Sequence, residues 1–567
     1  MRGGRRQTVS FGSTGPPGPS RRRAIRNGGC MRRFTRSSDT HEGTHRGTCA
    51  ARTGFGELPR QCYWGRIAAV LLALLALAAT GLAEPTDDKH TPAIDFDLPV
   101  YYDSLENGLK VLIVPDTNVA VVSCRLYYFV GSMYEGPGTS GLSHMFEHMM
   151  FKGTKTLGTT NYRKEVPYMR QIDSLVAEAQ EIEDRNTEAA RKQLQDIRKR
   201  IGALLQQQRE YIRKDELWNI YQSNGGTHLN AWTGDDMTAY IVTLPKNKLE
   251  LFYWIESDRM ANPVLREFYS ERDVVTEERR MRYENRPVNR YWERLMGLFY
   301  IAHPYRIPTI GWMSDIRAYT REKLSSHVAR YYTPDNALIV LAGNVDTTQA
   351  MKSIQRYFGH IPPASKPKQE VVTREPAPIG QTRFVVHDEA EPRIDIFFHT
   401  PGYPHDDLYR LDIAEGVLNG RSGRLYKRLV LDEQLCTDAG AGNSFRLHDG
   451  YFHVWATLNG DASPDTVERI LFEELEKLAA APPSEREMLR IKNTIKMSFV
   501  SGLTSLEGLS DRLAWFERLG GWRDLLDYPN RINAVEPSSV PDAAGQYFER
   551  RHATIGWLLP PSSETES

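Results

Sequence analysis

The chain is poor in cysteine, carries no excess charge of either sign and offers no long apolar run. Five Cys occur in 567 residues, and Cys30, Cys49 and Cys62 all precede position 63. Only Cys124 and Cys436 remain for the rest of the chain. Two are too few for a disulfide-built fold, although one bridge between them stays open, and neither has the local spacing of a metal ligand. The 72 basic and 72 acidic residues cancel, so nothing points to a nucleic-acid partner. The main apolar stretch, residues 67–77 followed by AATGLA, is marginal against the roughly 20 residues of a membrane span. Arg66 ahead of it and small residues behind it give the order of an export signal cleaved after Ala83. The expectation is an exported protein, periplasmic or secreted, in preference to one held by an N-terminal anchor, with no stable membrane span in the mature form. No Cys follows the apolar stretch closely, which argues against a lipoprotein anchor. Residues 1–60, rich in Arg, Gly, Ser and Thr, read as a disordered leader or as sequence ahead of the true start.

What the chain does have is the string His144-Met145-Phe146-Glu147-His148 within GLSHMFEHMMFKGT. Two imidazoles four positions apart project from one face of a helix. That is the reach needed to hold one Zn²⁺ from two corners of a tetrahedron. Glu147 can then hang beside a metal-bound water without ligating, in the H-x-x-E-H order that reverses the commoner zinc helix. The bland alternative is a helix whose histidines cap or pack. Gly141 opens the helix and Phe151-Lys152-Gly153-Thr154 closes it.

A third protein ligand is needed, and the segment from Glu271 to Arg280 is the best source. Glu271 and Glu278, seven apart, share a helix face with Val274 and Val275. A carboxylate on an apolar face is costly unless it meets a charge partner such as a metal. Glu277 falls on the solvent side. The competing reading is a solvated helix laced with i,i+4 ion pairs.

GLSHMFEHMMFKGT, GGTHLNAWTGDDMTAYIVTLP and ERDVVTEE together resemble the insulinase/pitrilysin superfamily of zinc peptidases, and among these the two-domain processing-peptidase-like subunits. The resemblance covers about residues 95–560. It implies one Zn²⁺ per chain on His144, His148 and Glu278, with Glu147 activating water and Glu271 a carboxylate behind the ligands. It also implies that Asn230, Ala231, Trp232 and Thr233 form an edge strand to which an extended peptide adds. Phe146 and Phe151, flanking the metal helix, are candidates for an apolar pocket beside the scissile bond, with core packing as the alternative.

Two departures stand out. His148 and Glu278 are 130 positions apart, more than the family's usual spacing, and the surplus falls in residues 165–215. That stretch reads as a long helix or helical hairpin, either surface decoration or an arm for docking or gating. The family's Arg and Tyr that bind the substrate carbonyl map onto Val430 and Thr437, so the pair is missing. The resemblance then implies a hetero- or homodimer with a similar chain that supplies it.

The rest of the chain is organised as a faint repeat. GLKVLIVPDTNVAVVSCRLYYFVGS and QTRFVVHDEAEPRIDIFFHTPGY are both strand pairs split by a turn; HVARYYTPDNALIVLAG and GQYFERRHATIGWLLP both run from helix to strand. The expected fold is α+β, two homologous α/β-roll domains of mixed or antiparallel sheet packed with helices. The expected boundaries are a signal at 61–83, a zinc-binding domain at 84–360, a Pro- and Lys-rich linker at 361–381 and an inactive copy at 382–567. His387, His399, His405, His448 and His453 in the second copy stand at no ligand spacing. The function expected is zinc-dependent endopeptidase action on peptides or unfolded segments. A non-catalytic peptide-holding subunit is the alternative, and a small-metabolite zinc lyase is opposed by the duplicated halves.

Overall fold

Short apolar runs in the first half build one sheet, and corresponding runs in the second half build another. The computed structural model describes residues 98–183, 185, 187–460 and 462–561; the leader and export signal expected at 1–83 lie outside them. Sheet 1 contains β1 (Tyr101–Ser104), β2 (Lys110–Pro115), β3 (Val121–Tyr128), β4 (Thr227–Thr233), β5 (Thr238–Pro245) and β6 (Ala337–Gly343). Sheet 2 contains β7 (Thr382–His387), β8 (Arg393–Pro401), β9 (Cys436–Ser444), β10 (Asp449–Leu458) and β11 (Thr554–Leu559). Their orders are β1-β2-β6-β3-β5-β4 and β7-β11-β8-β10-β9. Without β1 the two sheets have one topology. A parallel pair (β2 with β6, β7 with β11) is followed by three antiparallel pairings in each. The α+β architecture and its internal repeat are therefore as the strand patterns suggest.

The helices are placed by where their apolar faces find cover. After β3 comes α1 (Leu142–Met149), which carries the pentad; all its residues but His148 are buried. The surplus of residues 165–215 is a helical hairpin of α2 (Tyr162–Glu183) and α3 (Glu188–Arg209). Its own thin core is Leu175, Ile182, Ala190 and Ile197. Next is α4 (Phe268–Arg279), which carries the two spaced glutamates and passes into a π turn over Arg280–Glu284.

Both faces of each sheet are covered, and each half lends the other a layer. Leu112, Val114, Tyr127, Leu338 and Val340 on the outer face of sheet 1 pack on Leu509, Leu513 and Phe516 from the second half. In return α5 (Pro287–Phe299) sets Tyr291, Leu295 and Phe299, one turn apart, against Phe397 and Leu558 of sheet 2. In the second half α6 (Asp407–Leu418) follows β8 as α1 follows β3, and α7 (Leu506–Leu519) is the helix lent to sheet 1. Residues 362–381 carry neither helix nor strand. Cys124 in β3 and Cys436 in β9 are both buried and free, so no bridge joins them. Among the described residues no helix is long and apolar enough to cross a membrane.

Candidate metal centre and cleft

The site begins with how α1 is entered. Gly141 caps it at φ 85°, and a Cβ there would sit 2.5 Å from the Ile310 carbonyl oxygen. Only glycine combines that left-handed backbone with that approach. The first turn's backbone N–H groups have no intrahelical acceptors. Buried Glu135 supplies one, accepting from Gly141 at 2.5 Å and Ser143 at 2.6 Å. So anchored, α1 presents His144 and His148 side by side, ring centroids 4.8 Å apart.

From the facing helix α4, Glu278 Oε2 lies 3.2 Å from His148 Nε2 and 3.7 Å from His144 Nε2. A tetrahedral Zn²⁺ with bonds of about 2.0–2.1 Å separates its ligand atoms by about 3.3–3.4 Å. The observed spacings bracket that edge, and two imidazoles with one carboxylate are a zinc donor set with the fourth position open. Among the described residues these three form the cluster able to hold a metal. The field also favours a cation: burial opposes charge on the His148 ring, yet Glu271 and Glu278 lift it to about 9.

The neighbours hold these groups in place. Glu271 Oε1 receives His148 Nδ1 at 3.0 Å and its Oε2 receives Lys152 Nζ at 2.6 Å. Burial alone would raise the Glu271 carboxyl, but His148 and Lys152 hold it below its usual range. A ring nitrogen tied in this way leaves the other directed at the cluster. Arg282 NH1 takes Glu278 Oε1 at 3.0 Å, leaving Oε2 for the histidines. Glu147 is buried, and its Oε2 accepts the Thr233 hydroxyl at 2.6 Å.

A cleft of about 470 Å³ opens beside this cluster, lined by Glu147, His148 and Glu278 with Asn230, Ala231 and Trp232 of edge strand β4. Residues 212–217, where the helical hairpin returns, form another wall. The hairpin's root is fixed by Arg266, which reaches buried Glu165 at 3.0 Å and also takes the carbonyls of Lys152, Thr154 and Leu157. The insertion is thus continuous with the floor of the cleft.

Several sequence expectations need correction. Phe146 does not line the cleft; two positions beyond His144 on the helix, it is 1% exposed and packs edge-on against Tyr332. Phe151 does line it. Thr233 turns its hydroxyl to Glu147 instead of the cleft. Val274 is 50% exposed while Val275 is buried, so only one valine shares the inward face of α4. Val430 and Thr437, at the positions of the missing Arg and Tyr, are absent from the cleft walls. Nearby Arg428 is engaged by Glu433, Glu473 and Glu474. The roles of Lys152, Arg282 and Glu135 were missed. Lys152 and Arg282 had a signal, each being four positions after a ligand on a helix; Glu135 had none.

Known proteins resemble this chain over most of its length. The model for Insulinase (Peptidase family M16) matches residues 110–169, and that for the Peptidase M16 inactive domain matches residues 318–495. The zinc protease PqqE of Helicobacter pylori is 25% identical over 81% of this chain and 92% of its own length. A crystal structure of a protease from Helicobacter pylori superposes with TM-score 0.69 at 25% identity, covering 82% of this chain and all of that one. The periplasmic protease PqqL of Escherichia coli superposes with TM-score 0.63 at 19% identity over 83% of this chain but 48% of its own. Models of peptidase family M16 thus match both halves of the chain, and the chain belongs to the insulinase/pitrilysin superfamily.

Proposed function

We propose that this chain is a zinc-dependent endopeptidase acting on peptides or unfolded polypeptide segments. The observation that carries the reading is the convergence of His144, His148 and Glu278 from two distant helices, with the carboxylate of Glu147 beside them. His144, His148 and Glu278 would hold the ion, one per chain. When bound, Zn²⁺ supplies Lewis acidity and lowers the pKa of water toward neutrality. Glu147 takes the proton from the attacking water and hands it to the leaving amine. The substrate backbone adds along the free edge of β4 at Asn230, Ala231 and Trp232, which orients the scissile bond. Phe151 and Trp232 offer apolar surface for a neighbouring side chain, and the wall at residues 212–217 limits how chain continues past the cleft.

The missing Arg/Tyr pair supports a dimer in which a similar chain completes the site; this chain spans about half of the periplasmic protease PqqL. We place its action in the periplasm or outside the cell, on the export segment at 61–83. The halves on either side of residues 361–381 would be the zinc-binding and the inactive domain. The missing pair also favours a second reading, a peptide-holding subunit without turnover.

The test is Glu147→Gln, assayed with an internally quenched fluorogenic peptide alone and beside a similar chain carrying Arg and Tyr. Hydrolysis should drop about 10²- to 10⁴-fold while zinc stays bound. Undiminished turnover by the zinc-loaded variant would remove Glu147 as the base, and a wild-type chain inactive under both conditions would favour the peptide-holding reading.

A further inference from the structure

The second half has no metal cluster among the described residues, yet it reaches the carboxylate of Glu147 through a short chain of contacts. Thr233, which donates to Glu147, is the last residue of β4 and is 6% exposed. The turn beyond it is tight, with Gly234 N–H donating to the Met237 carbonyl at 2.9 Å. Three groups clamp that turn. From the short helical turn after β3, Ser132 N–H donates to Gly234 O at 3.2 Å and its hydroxyl donates to Asp235 Oδ1 at 2.9 Å. Behind α5, the Tyr305 hydroxyl donates to Asp236 Oδ1 at 2.9 Å. From the second half, Arg446 NH1 pairs with Asp235 Oδ2 at 2.9 Å.

Arg446 is itself held firmly. It sits in the β9–β10 turn of sheet 2, the counterpart of the β4–β5 turn in sheet 1. Its guanidinium carbon lies 4.5 Å from the Tyr305 ring centroid, 5.1 Å from Tyr451 and 5.7 Å from Tyr300. A cation caged by three rings moves little and is poorly screened by water. The approach is too close for slack: a Cβ on Gly131 would stand 2.1 Å from Gly234 O.

We propose that Arg446 is a positioning residue for hydrolysis: its ion pair with Asp235 fixes the β4–β5 turn and, through Thr233, the carboxylate of Glu147. This rests on the peptidase reading above. The inactive half would then be retained because it holds the base in register. A base displaced by about 1 Å can lose about 100-fold in rate, whereas Arg446 is not among the residues lining the cleft and should leave binding alone.

A double-mutant cycle on the full zinc-loaded chain tests it, with an internally quenched fluorogenic peptide as probe. Arg446→Gln and Asp235→Asn should each lower kcat about 10- to 100-fold. KM should stay within about two-fold and zinc stoichiometry should not change, as neither residue touches the cluster. The double variant should be no slower than the slower single, since both break one pair. Arg446→Lys, which keeps the charge, should recover part of the rate. Hydrogen exchange over residues 233–238 should quicken in Arg446→Gln and not in Glu147→Gln. Additive losses, an effect on KM alone, loss of zinc, or unchanged exchange would overturn the proposal. A wild-type chain that binds zinc and cuts nothing, alone or beside a similar chain carrying Arg and Tyr, would instead undo the peptidase reading, and the exchange comparison then decides the clamp by itself.

Discussion

At the scale of single residues, the two glutamates of α4 divide between them tasks that their sequence spacing makes look equivalent. Glu278 faces both imidazoles through Oε2, and Glu271 reaches only the far nitrogen of His148. Glu278→Gln should therefore abolish stoichiometric zinc binding. Glu271→Gln should keep zinc but weaken it about 10- to 100-fold, the usual effect of losing a hydrogen bond behind a ligand. Competition with a fluorescent chelator measures both; equal affinities for the two variants would mean the roles are misassigned. The spacing was legible because a helix repeats its face every seven residues, so both carboxylates had to point inward. Which one meets the histidines depends on the height at which α4 crosses α1, and no local pattern encodes that. Phe146 shows the same limit: adjacency to the metal helix said nothing about whether its ring would meet Tyr332 or the cleft.

At the scale of elements, α1 and α6 are the same helix in two repeats, and comparing them shows how the second copy differs. Glu147 accepts from Thr233 on β4, and Glu415 accepts from the Asn443 backbone N–H on β9, at 3.0 Å. Asp412 then stands where His144 stands, three residues before the glutamate. The second histidine's position falls on Gly416, where a Cβ would meet Ile491 Cγ2 at 2.4 Å. The residue that would complete a ligand pair is gone and its space is filled by the core. What remains is buried Asp412 beside half-buried Glu415. Burial pushes Asp412 up to about 7, and burial with the neighbouring Asp412 charge pushes Glu415 up to about 8. Unfolded carboxyls titrate near 4. The folded chain therefore holds more protons between these limits, and stability present below about pH 4 is lost as pH rises through 7 to 8. The urea midpoint should fall between pH 6 and pH 9, and Glu415→Gln should shrink that fall. An identical pH dependence in the variant would show that Glu415 ionises without cost. The histidine spacing marked α1 in the sequence, but the acids of α6 carry no sequence mark that separates them from a solvated face.

At the scale of the whole molecule, the repeat was legible and the way its copies are fastened together was not. Strands such as KVLIVP and TRFVVH announce sheets as short apolar runs bounded by turns, yet β2 is buried on both faces. A two-sided apolar strand demands a second covering layer without saying which part of the chain provides it. Here the layer comes from the other half: α7 covers sheet 1 and α5 covers sheet 2. Each sheet thus completes its core only when the other half is folded, and the described chain should unfold as a unit despite its two sheets. Leu513 in α7 is fully buried against the outer face of sheet 1. Leu513→Ala should cost about 2–5 kcal/mol, the range for emptying a leucine site in a core. The loss should appear in both sheets together: amides of β2 and β6 and amides of β8 and β11 should lose protection with one urea midpoint, shifted equally. Two separated transitions, with sheet 2 keeping its midpoint while sheet 1 falls, would mean that the exchanged helices are packing on independently stable halves.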